Sequence, residues 1–159
     1  AKLEAAGFIV YRGWNEQLAD KLVAGAREPI MQASVPRDIG ERFSDQTAAQ
    51  KWYANCEREV YSLMMDDDLA GVVWFDVRPR PDLDAEYTFA IRLYESSRGK
   101  GLSYDFALAA RTDMFVYRST AGVWLETDED NVPGLKLYEK LGYKIVDNKN
   151  GRLTLVFRA

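Results

Sequence analysis

"SSRGKGLSYDF", residues 96–106, crowds two glycines and two cations into Arg98-Gly99-Lys100-Gly101, between a strand-like run and a helix-like one. A solvated turn explains that composition, and so does a cradle for a diphosphate. The second reading has a specific physical basis. The first turn of a helix exposes unpaired N–H groups at the positive end of its dipole. Glycine lets the main chain approach a ligand with no side chain in the way. Arg98 and Lys100 add mobile positive charge. Two familiar phosphate loops do not fit. A Walker A loop needs glycine where Tyr94 stands, and neither Ser nor Thr follows Lys100. The dinucleotide fingerprint G-x-G-x-x-G fits Gly99 and Gly101 but fails at Tyr104. Spacing alone leaves turn and cradle both open.

Outward from that stretch, the pattern alternates between strands and helices. "AEYTFAIRLY" (85–94) precedes it as a long strand. After it, Leu102, Phe106, Ala110, Met114 and Tyr117 recur at helical spacing and predict one apolar face. "FIVYR" (8–12) reads as a strand. "NEQLADKLVAGAR" (15–27) reads as a helix with Asn15 as its N-cap. The stretch from Glu28 to Phe43 carries two prolines and a glycine and reads as loop with short helical pieces. "SDQTAAQKWYANCE" (44–57) predicts a second helix, capped by Ser44 and burying Ala48, Trp52 and Cys56. "EVYSLMM" (59–65) and "LAGVVWFDVRP" (69–79) form a hairpin around Asp66-Asp67-Asp68. "GVWLET" (122–127) is a short buried strand, and Asn131 opens a helix ending near Gly142. "YKIVDN" and "RLTLVFR" flank Lys149-Asn150-Gly151, a tight reversal. The order is β-α-α-β-β-β-α-β-α-β-β, a mixed sheet with helices on its faces.

The totals narrow the function. The chain has 159 residues, 47% of them hydrophobic, and reads as a single domain over 1–159 able to bury a core. A net charge of −4 argues against nucleic acid as a partner. No apolar run approaches the roughly 18 residues that span a bilayer, and no secretory signal pattern is evident, so the expectation is a cytoplasmic protein with no membrane partner. The single cysteine, Cys56, fits a reducing compartment. There is no histidine at all, which excludes Ser-His-Asp and Cys-His nucleophiles and every His-ligated metal site; no metal is expected. Proton transfer falls to carboxylates, tyrosines, lysines, water or main chain.

Downstream, "LETDEDNVPGLKLYEKLGY" (125–143) resembles the fifth strand and following helix of the Gcn5-related N-acetyltransferase superfamily. That family's N-x-x-A-x-x-L-Y-x-K-x-G-F pattern is read here at Asn131, Gly134, Leu137, Tyr138, Lys140, Gly142 and Tyr143. Its Q/R-x-x-G-x-G/A signature is read at Arg98, Gly101 and Ser103. The close resemblance covers residues 85–143. Gly134 stands for alanine, Ser103 for a glycine or alanine, and Tyr143 for the commoner phenylalanine.

The resemblance implies an α/β fold: a mostly antiparallel mixed sheet of seven strands, splayed between the fourth and fifth and flanked by four helices. It implies an enzyme moving acetyl from acetyl-CoA to an amine by direct attack on the thioester. The diphosphate of coenzyme A would sit on Arg98, Gly99, Lys100, Gly101, Leu102 and Ser103. The pantetheine would pair with the main chain of Ile91, Arg92 and Leu93, and Asn131 would anchor it from the other side. Tyr138 would protonate the leaving sulfur and Glu126 would accept the amine's proton, directly or through water, with Glu86 a weaker candidate. Read by themselves, Tyr138 also suits a core aromatic and Glu126 a solvated carboxylate. Asp66–Asp68 suits a hairpin tip, and Asp128-Glu129-Asp130 suits a helix N-terminus or a lure for a cationic amine.

Another function fits the same fold: a non-catalytic acyl-CoA-binding or sensor domain. The resemblance assigns the acceptor pocket to the first two helices and the loop over 28–43, where Trp14, Arg37, Arg42, Phe43 and Trp52 stand. Trp74 and Phe75 are open between pocket and core. The acceptor's identity, and the choice between monomer and homodimer, stay open in the sequence.

Overall fold

The computed structural model describes residues 2–159. Seven strands form one sheet: β1 (Ile9–Arg12), β2 (Arg58–Met65), β3 (Asp68–Arg80), β4 (Ala85–Leu93), β5 (Gly122–Asp128), β6 (Lys144–Lys149) and β7 (Arg152–Arg158). Their spatial order is β1-β2-β3-β4-β5-β7-β6. Every neighbouring pair is antiparallel except β4 and β5, which run parallel. The seven strands and their mixed pairing match the expected fold class. The helices are α1 (Lys2–Ala5), α2 (Glu16–Ala26), α3 (Pro29–Ser34), α4 (Gln46–Ala54), α5 (Ser103–Arg118) and α6 (Val132–Lys140), with a π-helical turn over Asp38–Arg42. The short α1 and α3 add to the four expected helices.

Alternation along β3 explains how one sheet carries two cores. Val72 and Trp74 pack with Leu18, Leu22 and Trp52 of α2 and α4. Val73 and Phe75 pack with Phe106, Ala110 and Met114 of α5 on the opposite face. A strand covered on both faces loses its polar stripe, which is why β3 reads as a nearly continuous apolar run. Trp52, Phe43 and Trp74 meet edge to face at 4.9–6.0 Å between ring centres, the arrangement aromatic quadrupoles favour.

Four local expectations need correction. Asp45, not Ser44, caps α4, accepting from the Ala48 amide at 2.7 Å. That helix ends at Ala54, so Cys56 lies beyond it, half-buried, with Arg58 donating to its sulfur at 3.0 Å. Ala49 takes the buried position expected of Ala48. Tyr117 is 54% exposed, because the buried face of α5 runs through Ala107 and Arg111 instead.

One close approach fixes how α2 sits on the sheet. A methyl group on Gly25 would stand 2.4 Å from the Tyr94 ring. Gly25→Ala gains up to about 1 kcal/mol of helix propensity but overpacks the contact at a cost of about 1–3 kcal/mol. We expect a net loss of about 1 kcal/mol in urea unfolding; a stabilised variant would show that α2 does not sit this close.

Candidate active site

The parallel pairing of β4 with β5 is brief. Only Tyr87 and Thr88 pair, with Val123 and Trp124. Beyond them β4 stays with β3 as far as Leu93, and β5 stays with β7 as far as Asp128. Each strand follows its outer partner, and the two part. The Tyr94 amide bonds the Ala70 carbonyl at 2.9 Å, and Val72 pairs with Arg92. Main-chain groups alternate sides along a strand, so Arg92 turns its own toward β3, while Ile91 and Leu93 turn theirs to the open edge. Of the three residues expected to offer an edge, Ile91 and Leu93 face the splay. The Ile91 carbonyl accepts from Arg92 Nη1 at 3.0 Å, and the Leu93 carbonyl from Arg98 at 3.3–3.4 Å.

The glycine turn closes the far end of β4. Ser97, wholly buried, donates from Oγ to the Ala70 carbonyl at 2.6 Å and pins the turn to β3. Gly99 and Gly101 hold positive φ angles of 79° and 66°, where a side chain is strained. Leu102 is buried and its residue ends the turn; α5 then starts at Ser103 with no side-chain cap. Its neighbours differ: Asn15, Asp45 and Asn131 each cap their helix with a side-chain oxygen. Among the described residues, the amides of Gly99, Gly101 and Leu102 have no hydrogen-bond partner, and a Cβ built on Gly99 meets nothing within 4 Å. The turn thus offers free donors to open space. Its cations behave differently from one another. Arg98 ties Glu28 to the Leu93 carbonyl and so braces the turn, whereas Lys100 is exposed beside the Phe8 ring.

On the facing helix, Asn131 accepts from the Gly134 amide at 3.3 Å and donates to Thr127 Oγ1 at 2.9 Å, locking the end of β5 to the start of α6. A methyl group on residue 134 would stand 2.3 Å from the Asn131 amide nitrogen, so Gly134 makes room for this cap. One turn on, Tyr138 packs edge to face on Phe89 at 6.2 Å and on Tyr143 at 6.0 Å. Its hydroxyl has no hydrogen-bond partner among the described residues. Burial raises its pKa, and the positive charges of Arg92 and Arg152 pull partly the other way. The phenol stays protonated at neutral pH.

Phe89 also lines a groove of about 750 Å³ on the opposite face of the sheet, between β3–β5 and α4. Glu126, Arg92 and Arg152 share that lining, with Trp52, Trp74 and Trp124. Glu126 is exposed there and has no ion-pair partner among the described residues. Glu86 is exposed at the closed end of β4, before the pairing with β5. Trp14 lies outside the groove lining, stacked on Tyr53 at 4.5 Å and tilted against Trp52 at 5.9 Å, and Phe75 belongs to the α5 core.

Asp38 is the residue that sequence reasoning missed. Fully buried in the π-helical turn, it accepts from Arg92 Nε at 2.8 Å and from Arg42 Nη1 at 3.0 Å. It therefore aims two guanidiniums along the groove. The Phe43 amide reaches back to the Asp38 carbonyl, the i→i+5 bond of a π turn, a form often found at functional sites.

The family profile for the acetyltransferase (GNAT) domain matches residues 9–144. The chain belongs to the GNAT acetyltransferases. No curated protein sequence matches it at a significant level. Among solved structures, it is similar to the PaiA N-acetyltransferase of Thermoplasma acidophilum in complex with coenzyme A: 14% identity, TM-score 0.73, covering 95% of this chain and 99% of that one. A spermidine N-acetyltransferase chimera from Vibrio cholerae and hSSAT gives 14% identity and a TM-score of 0.73, covering 96% and 95%. The ribosomal-protein-S5-alanine acetyltransferase of Vibrio fischeri gives 12% and 0.68, covering 96% and 93%. At these identities the likeness is one of fold. Among the described residues no helix is long and apolar enough to cross a membrane, and no cluster of Cys, Asp or Glu can hold a metal ion.

Because Asp38 alone compensates Arg42 and Arg92 from within, Asp38→Ala leaves two guanidiniums crowded together. We expect a loss of about 3 kcal/mol, read as a lower urea midpoint at unchanged slope; a midpoint within error of the parent would contradict this bracing role.

Proposed function

We propose that residues 1–159 form one acetyltransferase domain that carries acetyl from acetyl-CoA to an amine by direct attack. One observation carries the reading. A splay in the sheet has free helix-terminal donors at one end, a protonated and unpartnered phenol on one face, and a groove with a free carboxylate on the other. The pieces suit coenzyme A: the free amides of Gly99, Gly101 and Leu102, with that of Ser103 at the helix start, for its linked phosphates, with the Lys100 side chain nearby, and the open edges of Ile91 and Leu93 for its amide-bearing arm. Arg98 serves by bracing the turn, and Asn131 by setting the angle of α6.

Acetyl-coenzyme A supplies the acetyl group as a thioester, whose sulfur departs as a thiolate in need of a proton. Tyr138 Oη holds a proton through neutral pH and has no competing acceptor, so it is the chain's donor for that need. Glu126 stands on the groove wall as a base for the amine, directly or through water. The amine nitrogen gives up one proton as its new bond to carbon forms. A free main-chain amide on the Leu93 edge is suited to the developing oxyanion. Cys56 lacks any histidine to activate it, which favours direct transfer over a covalent enzyme intermediate.

Coenzyme A raises the melting temperature if the cradle binds it, by linkage. Tyr138→Phe keeps that rise and lowers kcat in a thiol-release assay by about 10²–10⁴-fold. Loss of the melting shift in the parent protein would remove the cradle, and full turnover by Tyr138→Phe would remove the donor.

The pH profile carries a second check. Burial raises the Tyr138 pKa above the usual tyrosine value, so its proton is present at and below that value and is lost only as pH climbs through the raised one. Activity should therefore not fall through tyrosine ionisation below about pH 10. An alkaline limb near neutrality that Tyr138→Phe abolishes would contradict this.

A further inference from the structure

The groove is charged against the trend of the protein. The chain carries a net −4, yet the groove is lined by seven cationic side chains and three acidic ones. Several of those cations are already spent. Arg58 faces Asp76 at 3.4 Å, Arg37 pairs with Glu41 at 3.1 Å, and Arg152 pairs with Asp128 at 3.1 Å. Others are not. Asp38 is one carboxylate for two guanidiniums, so one positive charge is left over between Arg42 and Arg92. Lys51 and Arg78 have no acidic partner among the described residues. Set against the single free carboxylate, Glu126, the groove stays positive after every pair is counted.

The geometry of the surplus points the same way. Arg42 spends only Nη1 on Asp38, so Nε and Nη2 have no hydrogen-bond partner among the described residues, and its side chain is 26% exposed. A half-free guanidinium fork matches the paired oxygens of a carboxylate or phosphate. Arg42, Lys51 and Arg78 share the groove lining, Arg42 from the π-helical turn, Lys51 from α4 and Arg78 from β3. Glu126 lies on β5, across the splay from β4.

We propose, resting on the acetyltransferase reading, that the acceptor is a small amine carrying its own anionic oxygen group, a carboxylate or a phosphate. Arg42 and Arg78, with Lys51, receive that group, and the amine lies toward Glu126. The positive field also serves the chemistry, since it disfavours a second cation and so keeps the bound amine neutral and nucleophilic. Acceptors with several positive charges are excluded by the same field.

The test is kcat/KM at saturating acetyl-CoA for matched amines: β-alanine against β-alaninamide, phosphoethanolamine against ethanolamine, and spermidine. The anionic member of at least one pair should exceed its neutral partner by about tenfold or more, chiefly through KM, with spermidine poorest. Which pair shows the larger ratio separates carboxylate from phosphate. Arg78→Glu, at an exposed strand position, should erase the preference while keeping the coenzyme A melting shift that shows it folded. A melting shift of the parent with phosphoethanolamine, absent in Arg78→Glu, supports the same conclusion without turnover. Preference for the neutral amines or for spermidine overturns the anionic acceptor and leaves the transferase standing. Bound coenzyme A with no amine acetylated overturns both.

Discussion

The site depends on two strands that stay together for two residues and then part. β4 is held along its length by β3, and β5 by β7, so neither can follow the other once sheet twist carries them apart. Aromatic bulk fills the angle from one side, where Phe89, Tyr138 and Tyr143 meet ring to ring. The parting leaves the main chain of Ile91 and Leu93 without a strand partner. Buried main-chain groups are rarely left unpaired, so an edge like this asks for a guest. Here two arginine side chains already reach its carbonyls, while its amides face the opening without a strand partner.

Alternation along β4 divides the labour between the two faces. Phe89, Ile91 and Leu93 pack toward α5 and α6, where an apolar setting keeps the Tyr138 phenol protonated. Ala90 and Arg92 face α2 and α4, and Arg92 reaches into the arginine-rich groove. A single strand thus separates a half-buried, protonated phenol from an arginine-rich groove. Phe89, touching both, is the partition.

What could be read from the sequence follows from range. The strands, the hairpin tips and the helix after Gly101 are written in local periodicity and turn chemistry, and all of them form. Asn150 and Gly151 both adopt positive φ, as their reversal requires. The turn over 98–103 and the helix following Asn131 were legible as local structure because each is set by its own main chain or its own cap. Asp38 was not. Its meaning comes from Arg92, 54 positions away, and nothing in "VPRDIGERF" foretells that meeting. The pairing of Arg98 is hidden for a similar reason: its partner Glu28 lies 70 positions off, so a cation expected to be mobile is tied down. Cys56 slipped from core to groove wall because α4 stops two residues before it. The Gly134 substitution, costly by propensity alone, is explained only once the Asn131 cap is seen folded over it.

The buried carboxylate links these observations. An arginine pair beside a strand edge would repel itself, and without Asp38 neither guanidinium would hold its place. With Asp38 the pair becomes a fixed array carrying one net charge. Part of that charge acts through space on the Tyr138 phenol, moderating the rise that burial imposes, and part faces the groove. Both effects follow from the position of one side chain on a single π-helical turn. Within that turn the Phe43 amide bonds back to the Asp38 carbonyl while Arg42, four residues on, returns its guanidinium to the Asp38 carboxylate, so main chain and side chain hold the same residue in place.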